Sequence, residues 1–166
     1  MSVKVYLAGP ITGLTHDEAK GTWRQQVKDA FLTPSPMRRP YDPNAKDYPD
    51  NRVSFYCPMR NNESVNDGKP ISATDAPPAH ITSDRGVMMR DKWDVKSADI
   101  VFVNLCSPRR ISVGTVIEIA WAHLLDKPCI VCMEEDNVHR HAMLNNCASI
   151  IVPTLEDGIQ VLKDML

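Results

Sequence analysis

Long apolar runs are missing from this sequence of 166 residues. Nothing in it approaches the roughly 20 residues that a membrane span requires. The first residues lack the apolar stretch of a secretion signal, so a cytoplasmic location is expected. An excess of either charge is missing too: 19 Lys and Arg face 21 Asp and Glu, a formal charge of −2. That balance gives no electrostatic attraction to a nucleic-acid duplex or an anionic membrane, and a small-molecule ligand fits better. Low-complexity tracts and linkers are absent, which with 43% hydrophobic residues implies one domain over residues 1–166 with a real core. A paired set of cysteines is also lacking. The five (Cys57, Cys106, Cys129, Cys132 and Cys147) are odd in number and three lie in apolar runs, the pattern of reduced, buried thiols. Cys129 and Cys132 form a CxxC inside a run that reads as a strand, where positions i and i+3 face opposite sides. A redox or zinc role is therefore not expected of them.

What is present alternates. Val3 to Ala8, Asp99 to Leu105, Cys129 to Met133 and Ser149 to Val152 are β-rich, with Val53 to Cys57 a weaker fifth. Asp17 to Leu32, Gly86 to Ala98, Thr115 to Leu125 and Leu155 to Leu166 have helical character. Nearly continuous apolar strands alternating with helices predict an α/β fold, a Rossmann-like (flavodoxin-like) five-stranded parallel sheet with helices on both faces. Ligands of such sheets bind beyond the carboxyl ends of the strands. Residues 33–52 and 58–85, rich in Pro, Asn and Asp, break the pattern as long loops. They read either as a substrate lid or as a surface insertion.

Three constellations carry chemistry. The first strand runs into Gly9-Pro10-Ile11-Thr12-Gly13, where glycine lets a ligand approach the backbone and a following helix start favours anions. It is not the GxGxxG pattern. In the second, Glu118 is the single acidic residue of an almost wholly apolar helix, preceded by Ser112 and Gly114. A buried carboxylate there is either the second half of a capping box with Thr115 or a nucleophile kept ionised by the first-turn helix dipole. The third is Asp91. On a helical wheel it falls within a stripe of Val87, Met88, Val95 and Ala98, with Asp94 at the edge and Arg90 and Lys96 pointing away. It is either a buried structural aspartate or a catalytic one. Two carboxylates on separate elements converging at the strand ends fit glycosidic-bond chemistry, one attacking an anomeric carbon and the other managing protons.

The ordered set Val5-Tyr6-Leu7-Ala8-Gly9-Pro10, Asp91 with Ala98-Asp99-Ile100-Val101, Ser112-x-Gly114-x-x-x-Glu118 and Lys127-Pro128 resembles the nucleoside 2-deoxyribosyltransferase superfamily. That group includes the transferases, 2′-deoxynucleoside 5′-phosphate N-hydrolases and CMP hydrolases. The resemblance implies that Glu118 forms a covalent glycosyl intermediate, that Asp91 assists base departure, and that Tyr6 hydrogen-bonds the nucleophile and accompanies 2′-deoxy substrates. Gly9, Ile11, Ser112 and Gly114 would line the substrate. Serine at 112, where the transferases tend to carry an acid, points to a 5′-monophosphate, and it also suits a helix N-cap. The hydrolases' first loop resembles Gly-Ser-Ile-Arg-Gly, so this chain lacks a hydroxyl and a cation there, which Arg109 and Arg110 would replace. His141-Ala142-Met143 resembles a stretch that enters the neighbouring subunit's site, which implies a homodimer or larger homo-oligomer with shared active sites, His141 facing phosphate and Met143 beside it. No cofactor is implied, and His139 with His141 lacks a third ligand for a metal. The activity so implied is hydrolysis of a (2′-deoxy)nucleoside 5′-monophosphate. Base exchange between deoxynucleosides and non-catalytic nucleotide sensing are the alternatives.

Overall fold

The computed structural model describes residues 2–33, 48–49, 52–59, 71, 83–108 and 110–166. The chain opens with β1 (Val3–Ala8) and α1 (His16–Asp29), followed by a short antiparallel ribbon of β2 (Leu32–Thr33) and β3 (Tyr48–Pro49). Then come β4 (Val53–Tyr56), α2 (Asp84–Ser97), β5 (Ile100–Asn104) and α3 (Val113–Leu124). β6 (Cys129–Cys132), α4 (Ala142–Cys147), β7 (Ile150–Val152) and α5 (Leu155–Met165) complete it. Local chemistry sets the helix starts. Thr15 and Glu18 close a reciprocal capping box on α1, and Ser83 and Thr154 accept backbone amides at the heads of α2 and α5.

Five strands pair in the order β4-β1-β5-β6-β7, every neighbour parallel. Renumbered within the sheet this is 2-1-3-4-5, the flavodoxin-like order, with its reversal between β1 and β5. Successive side chains along β1 take opposite faces. Tyr6 and Ala8 join Val95, Val101, Val103, Ile119, Ala122 and Leu144 under α2, α3 and α4. Val5 and Leu7 join Val27, Phe102, Ile130, Leu155, Ile159 and Leu162 under α1 and α5. The same alternation divides the CxxC, with Cys129 on the first face and Cys132 on the second. Both thiols are free, and burial pushes Cys129 up to about 12 and Cys132 higher still. β4 was the weak signal because it is half-buried at every position and without alternation.

Two expectations are corrected. On α2 the buried residues are Gly86, Arg90, Asp94 and Val95, whereas Met88 is 56% exposed. Arg90 therefore turns inward, where its guanidinium donates to the Pro58 carbonyl. The wheel ranked residues by hydropathy, but a buried carbonyl on a neighbouring loop rewards a cation more than a methionine. Glu118 is also not in the first turn of its helix, because α3 begins at Val113 with Ser112 as its cap residue. Of the long loops 33–52 and 58–85, only a few residues are among those described. Met59 packs with Cys57, Ala19, Ile11 and Leu14, and Ile71 exchanges backbone hydrogen bonds with Gly13 and Leu14. Among the described residues no helix is long and apolar enough to cross a membrane.

Close approach of α5 to the sheet depends on Gly158, where an added methyl carbon would lie 2.2 Å from Cys132 Sγ and 3.1 Å from Phe102. Gly158→Ala is expected to lower stability by about 1–3 kcal/mol, because overpacking here forces helix and sheet apart. Urea unfolding checks this, and an unchanged midpoint would show that α5 shifts without cost.

Candidate active site

Alternation along β1 aims Tyr6 at α3, and the second turn of α3 returns Glu118. The Tyr6 hydroxyl donates to Glu118 Oε1 at 2.6 Å in a buried contact. Tyr6 is fully buried and Glu118 is 7% exposed. This bond excludes the capping-box alternative, since Glu118 is engaged across the core and Thr115 lies inside the helix. Burial raises the Glu118 carboxyl to about 8, the Tyr6 hydrogen bond opposes that rise, Asp91 adds to it and Arg24 opposes it. The expected ionising effect of a first-turn dipole is thus overturned, since Glu118 lies a turn further in and desolvation dominates. Burial and the neighbouring Glu118 hold the Tyr6 phenol well above its ordinary range, so it remains a proton donor.

Asp91 stands close enough to raise both groups electrostatically, and its carboxylate lies 3.4 Å from Arg90 Nε. Asp94, 4% exposed, is the more deeply buried acid of the same helix. Gly9 follows β1 at the reversal of strand order. A methyl carbon there would lie 2.7 Å from the Trp23 ring and 2.8 Å from the Asn104 carbonyl, so only glycine fits. Ile11 packs into the small cluster of Ala19, Cys57 and Met59. Gly13 has φ +86°, and the Arg110 guanidinium lies directly against it. Arg110 thus crosses from the α3 side to the loop that lacks a cation of its own, while Arg109 lies outside the described residues. Ser112 begins α3 without capping it: its hydroxyl lies 2.9 Å from Thr115 Oγ1 and accepts from none of the first-turn amides. Among the described residues, nothing lies within 4 Å of where a methyl carbon on Gly114 would be. His141 Nδ1 accepts from the Met143 amide at the head of α4, and both residues are exposed. Neither is joined to the Tyr6–Glu118 pair by a hydrogen bond among the described residues.

Sequence reasoning missed Arg24 and Asn137, and weighed His139 only as a metal ligand. Arg24 is wholly buried, lies 4.3 Å over the Trp23 ring and donates to the Gly9 carbonyl at 3.0 Å. Its spacing from His16, Ala19 and Val27 along the buried face of α1 was the available signal. His139 accepts the Ser112 amide at 2.8 Å and is 3% exposed. Nothing in the order of residues connected it to position 112.

No family model matches the chain, and no curated protein matches it in sequence. Solved structures share its fold. A conserved protein from Enterococcus faecalis V583 matches with a TM-score of 0.62 at 16% identity, over 100% of both chains. A 2-deoxyribosyltransferase from Bacillus psychrosaccharolyticus matches with a TM-score of 0.57 at 16% identity, over 93% of this chain and 89% of its own. The CMP N-glycosidase BcmB of Clostridium botulinum matches with a TM-score of 0.50 at 16% identity, over 98% of this chain and 99% of its own. The flavodoxin-like α/β fold is common to them.

The buried carboxyl has a consequence for stability. Between about pH 4.5 and 8, folded Glu118 keeps a proton that the unfolded chain has released. The native state then binds more protons, so this group makes stability fall as pH rises, by at most ~1.4 kcal/mol per pH unit. Glu118→Gln removes that slope. Urea unfolding of variant and wild type should show the difference moving in favour of the variant from pH 5 to pH 8. A difference constant across that range contradicts the raised pKa.

Proposed function

We propose that this chain is an enzyme of the nucleoside 2-deoxyribosyltransferase-like superfamily that cleaves the N-glycosidic bond of a (2′-deoxy)nucleoside 5′-monophosphate and releases free base. The observation that carries this reading is the buried Tyr6–Glu118 hydrogen bond of 2.6 Å beside the carboxyl end of β1. A carboxyl in that setting has a clear chemical use. Ionised, Glu118 attacks C1′ through an oxocarbenium-like transition state, and the base leaves with the electron pair of the broken bond. Asp91 assists departure of the base and then takes a proton from the water that hydrolyses the glycosyl ester. Tyr6 holds the nucleophile in one rotamer and occupies space beside it.

Two features favour a phosphorylated substrate. The first-turn amides of α3 receive no cap from the Ser112 side chain, and helix amides left in that condition suit an anion. Arg110 reaches the Gly13 loop from the same side, supplying a cation for the phosphate. The substrate's sugar and phosphate would then lie along Gly9, Ile11, Ser112 and Gly114. The fold shared with a 2-deoxyribosyltransferase supports a second reading, in which a free base rather than water captures the same intermediate. A homodimer completes the proposal. Met89 and Trp93 on α2, with Val113 and Leu124 on α3, leave apolar side chains between 61% and 78% exposed that a second copy would cover. In that dimer His141 and Met143 would reach the partner's phosphate.

Base release from a panel of nucleosides and their 5′-monophosphates, deoxy and ribo, tests the reading. Wild type is expected to act chiefly on deoxynucleoside monophosphates, and Glu118→Gln to lose about a thousandfold or more. Because the carboxylate is the reactive form, kcat/KM should rise with pH through about 8, and Tyr6→Phe should move that rise to higher pH. Arg110→Met should raise KM for monophosphates about tenfold and leave nucleosides unchanged. Turnover of nucleosides alone, and only with an acceptor base, would make the protein a transferase. No release from any compound would leave a nucleotide-binding protein without this chemistry. Sedimentation of wild type and Trp93→Glu tests the assembly: a dimer that dissociates in the variant is expected, and a wild-type monomer that still turns over removes the role of His141.

A further inference from the structure

The segment after β6 grips the segment that leads into α3. Glu134 Oε1 accepts from the Ser107 amide at 2.7 Å, where the backbone has φ +52°. Asn137 Nδ2 donates to the Leu105 carbonyl at 2.8 Å and to Glu134 Oε2 at 2.7 Å. His139 Nε2 lies 2.8 Å from the Ser112 amide, and its Nδ1 lies 2.9 Å from Asn137 Oδ1. These contacts assign every proton. An amide can only donate, so Nε2 carries a lone pair and Nδ1 carries the hydrogen. Asn137 spends its NH2 on a carbonyl and a carboxylate, so its oxygen is the atom left to accept from Nδ1. Protonated His139 would set N–H against N–H at Ser112. His139 is 3% exposed and Asn137 6%, so water cannot substitute for a lost contact. Of the charged groups near by, Glu134 reaches the imidazole only through Asn137, and Arg140 is turned to the Glu134 and Met133 carbonyls. Burial alone holds the imidazole below the ordinary histidine range.

We propose that neutral His139 is a positioning residue that fixes the Ser112 backbone and, with it, the phosphate-binding start of α3, and that its protonation releases that end while the Tyr6–Glu118 pair stays in place. The proposal rests on the reading of that helix start as a phosphate site. It goes beyond that reading by making phosphate affinity dependent on one histidine whose two ring nitrogens are engaged by Ser112 and Asn137.

The test uses 2-deoxyribose 5-phosphate, whose binding needs no turnover, with 2-deoxyribose as the control. His139→Leu removes the acceptor and is expected to weaken binding of the phosphate about tenfold, the worth of one hydrogen bond, with no effect on the unphosphorylated sugar. His139→Gln offers an acceptor oxygen that does not titrate and should restore binding. Wild-type affinity should fall below that of the Gln variant as pH drops through the depressed His139 pKa. Comparing the two cancels the titration of the phosphate itself. Nitrogen NMR should find the Nδ1–H tautomer in wild type, and exchange of the Ser112 amide should quicken in His139→Leu. An imidazolium or Nε2–H tautomer at neutral pH overturns the proposal, as does a Leu variant that binds the phosphate like wild type. Absence of base release from every nucleotide, with these binding and exchange results intact, would instead remove the catalytic reading and leave the strut standing. Failure of wild type to bind the sugar phosphate at all removes both.

Discussion

Keeping one carboxyl out of water is the constraint on which the rest of this molecule turns. Glu118 comes from an apolar helix that must pack on the sheet, so its side chain cannot avoid the core. Burial raises its pKa. The Tyr6 hydroxyl and the Arg24 charge work against that, and Asp91 works with it, leaving the group poised at about 8. Arg24 links this balance to shape. Its guanidinium is buried with its charge over the Trp23 ring and one arm on the Gly9 carbonyl, so the turn after β1 and the ionisation of Glu118 share one support. A side chain that serves both cannot be exchanged without moving each.

The site has two ends built on different principles. At the Glu118 end the groups are held by the apolar interior, with rotamers set by packing and by the short Tyr6–Glu118 hydrogen bond. At the Ser112 end the backbone is irregular and is held by polar contacts from the segment 134–139. Loop backbone of that kind needs such partners because it lacks a ladder of its own. The two ends are six residues apart on α3, about 9 Å along its axis at 1.5 Å per residue. A rigid helix therefore sets the spacing between the proposed chemistry and the proposed phosphate site. Exposed His141 and Met143 belong to neither end within this chain.

Much of the fold was legible in the residue order. Strands buried at every position, such as β5 and β6, read as nearly unbroken apolar runs, and the runs for β1, β5, β6 and β7 lay within a residue or so of the observed ends. Position Glu118 was legible because an acid in an apolar helix demands a partner, whereas Tyr6 was implied only by the resemblance that Val5-Tyr6-Leu7-Ala8-Gly9-Pro10 carries. The pattern failed where burial is decided by polar chemistry. Arg90 and Arg24 lie inside because carbonyl oxygens and an aromatic ring await them there. No scale of hydropathy contains that information.

What the sequence determined by itself is the alternation of elements, the face each strand residue takes, and which few acids stand in apolar surroundings. These follow from local periodicity and from the cost of burying charge. What only the tertiary structure decided is which of those groups meet. Tyr6 and Glu118 are 112 residues apart, and Ser112 and His139 are 27 apart. Contacts over such separations depend on strand order and on the path of the connecting segments. The tertiary structure also decided the charge state of Glu118, because desolvation is a property of surroundings that no neighbour in sequence supplies.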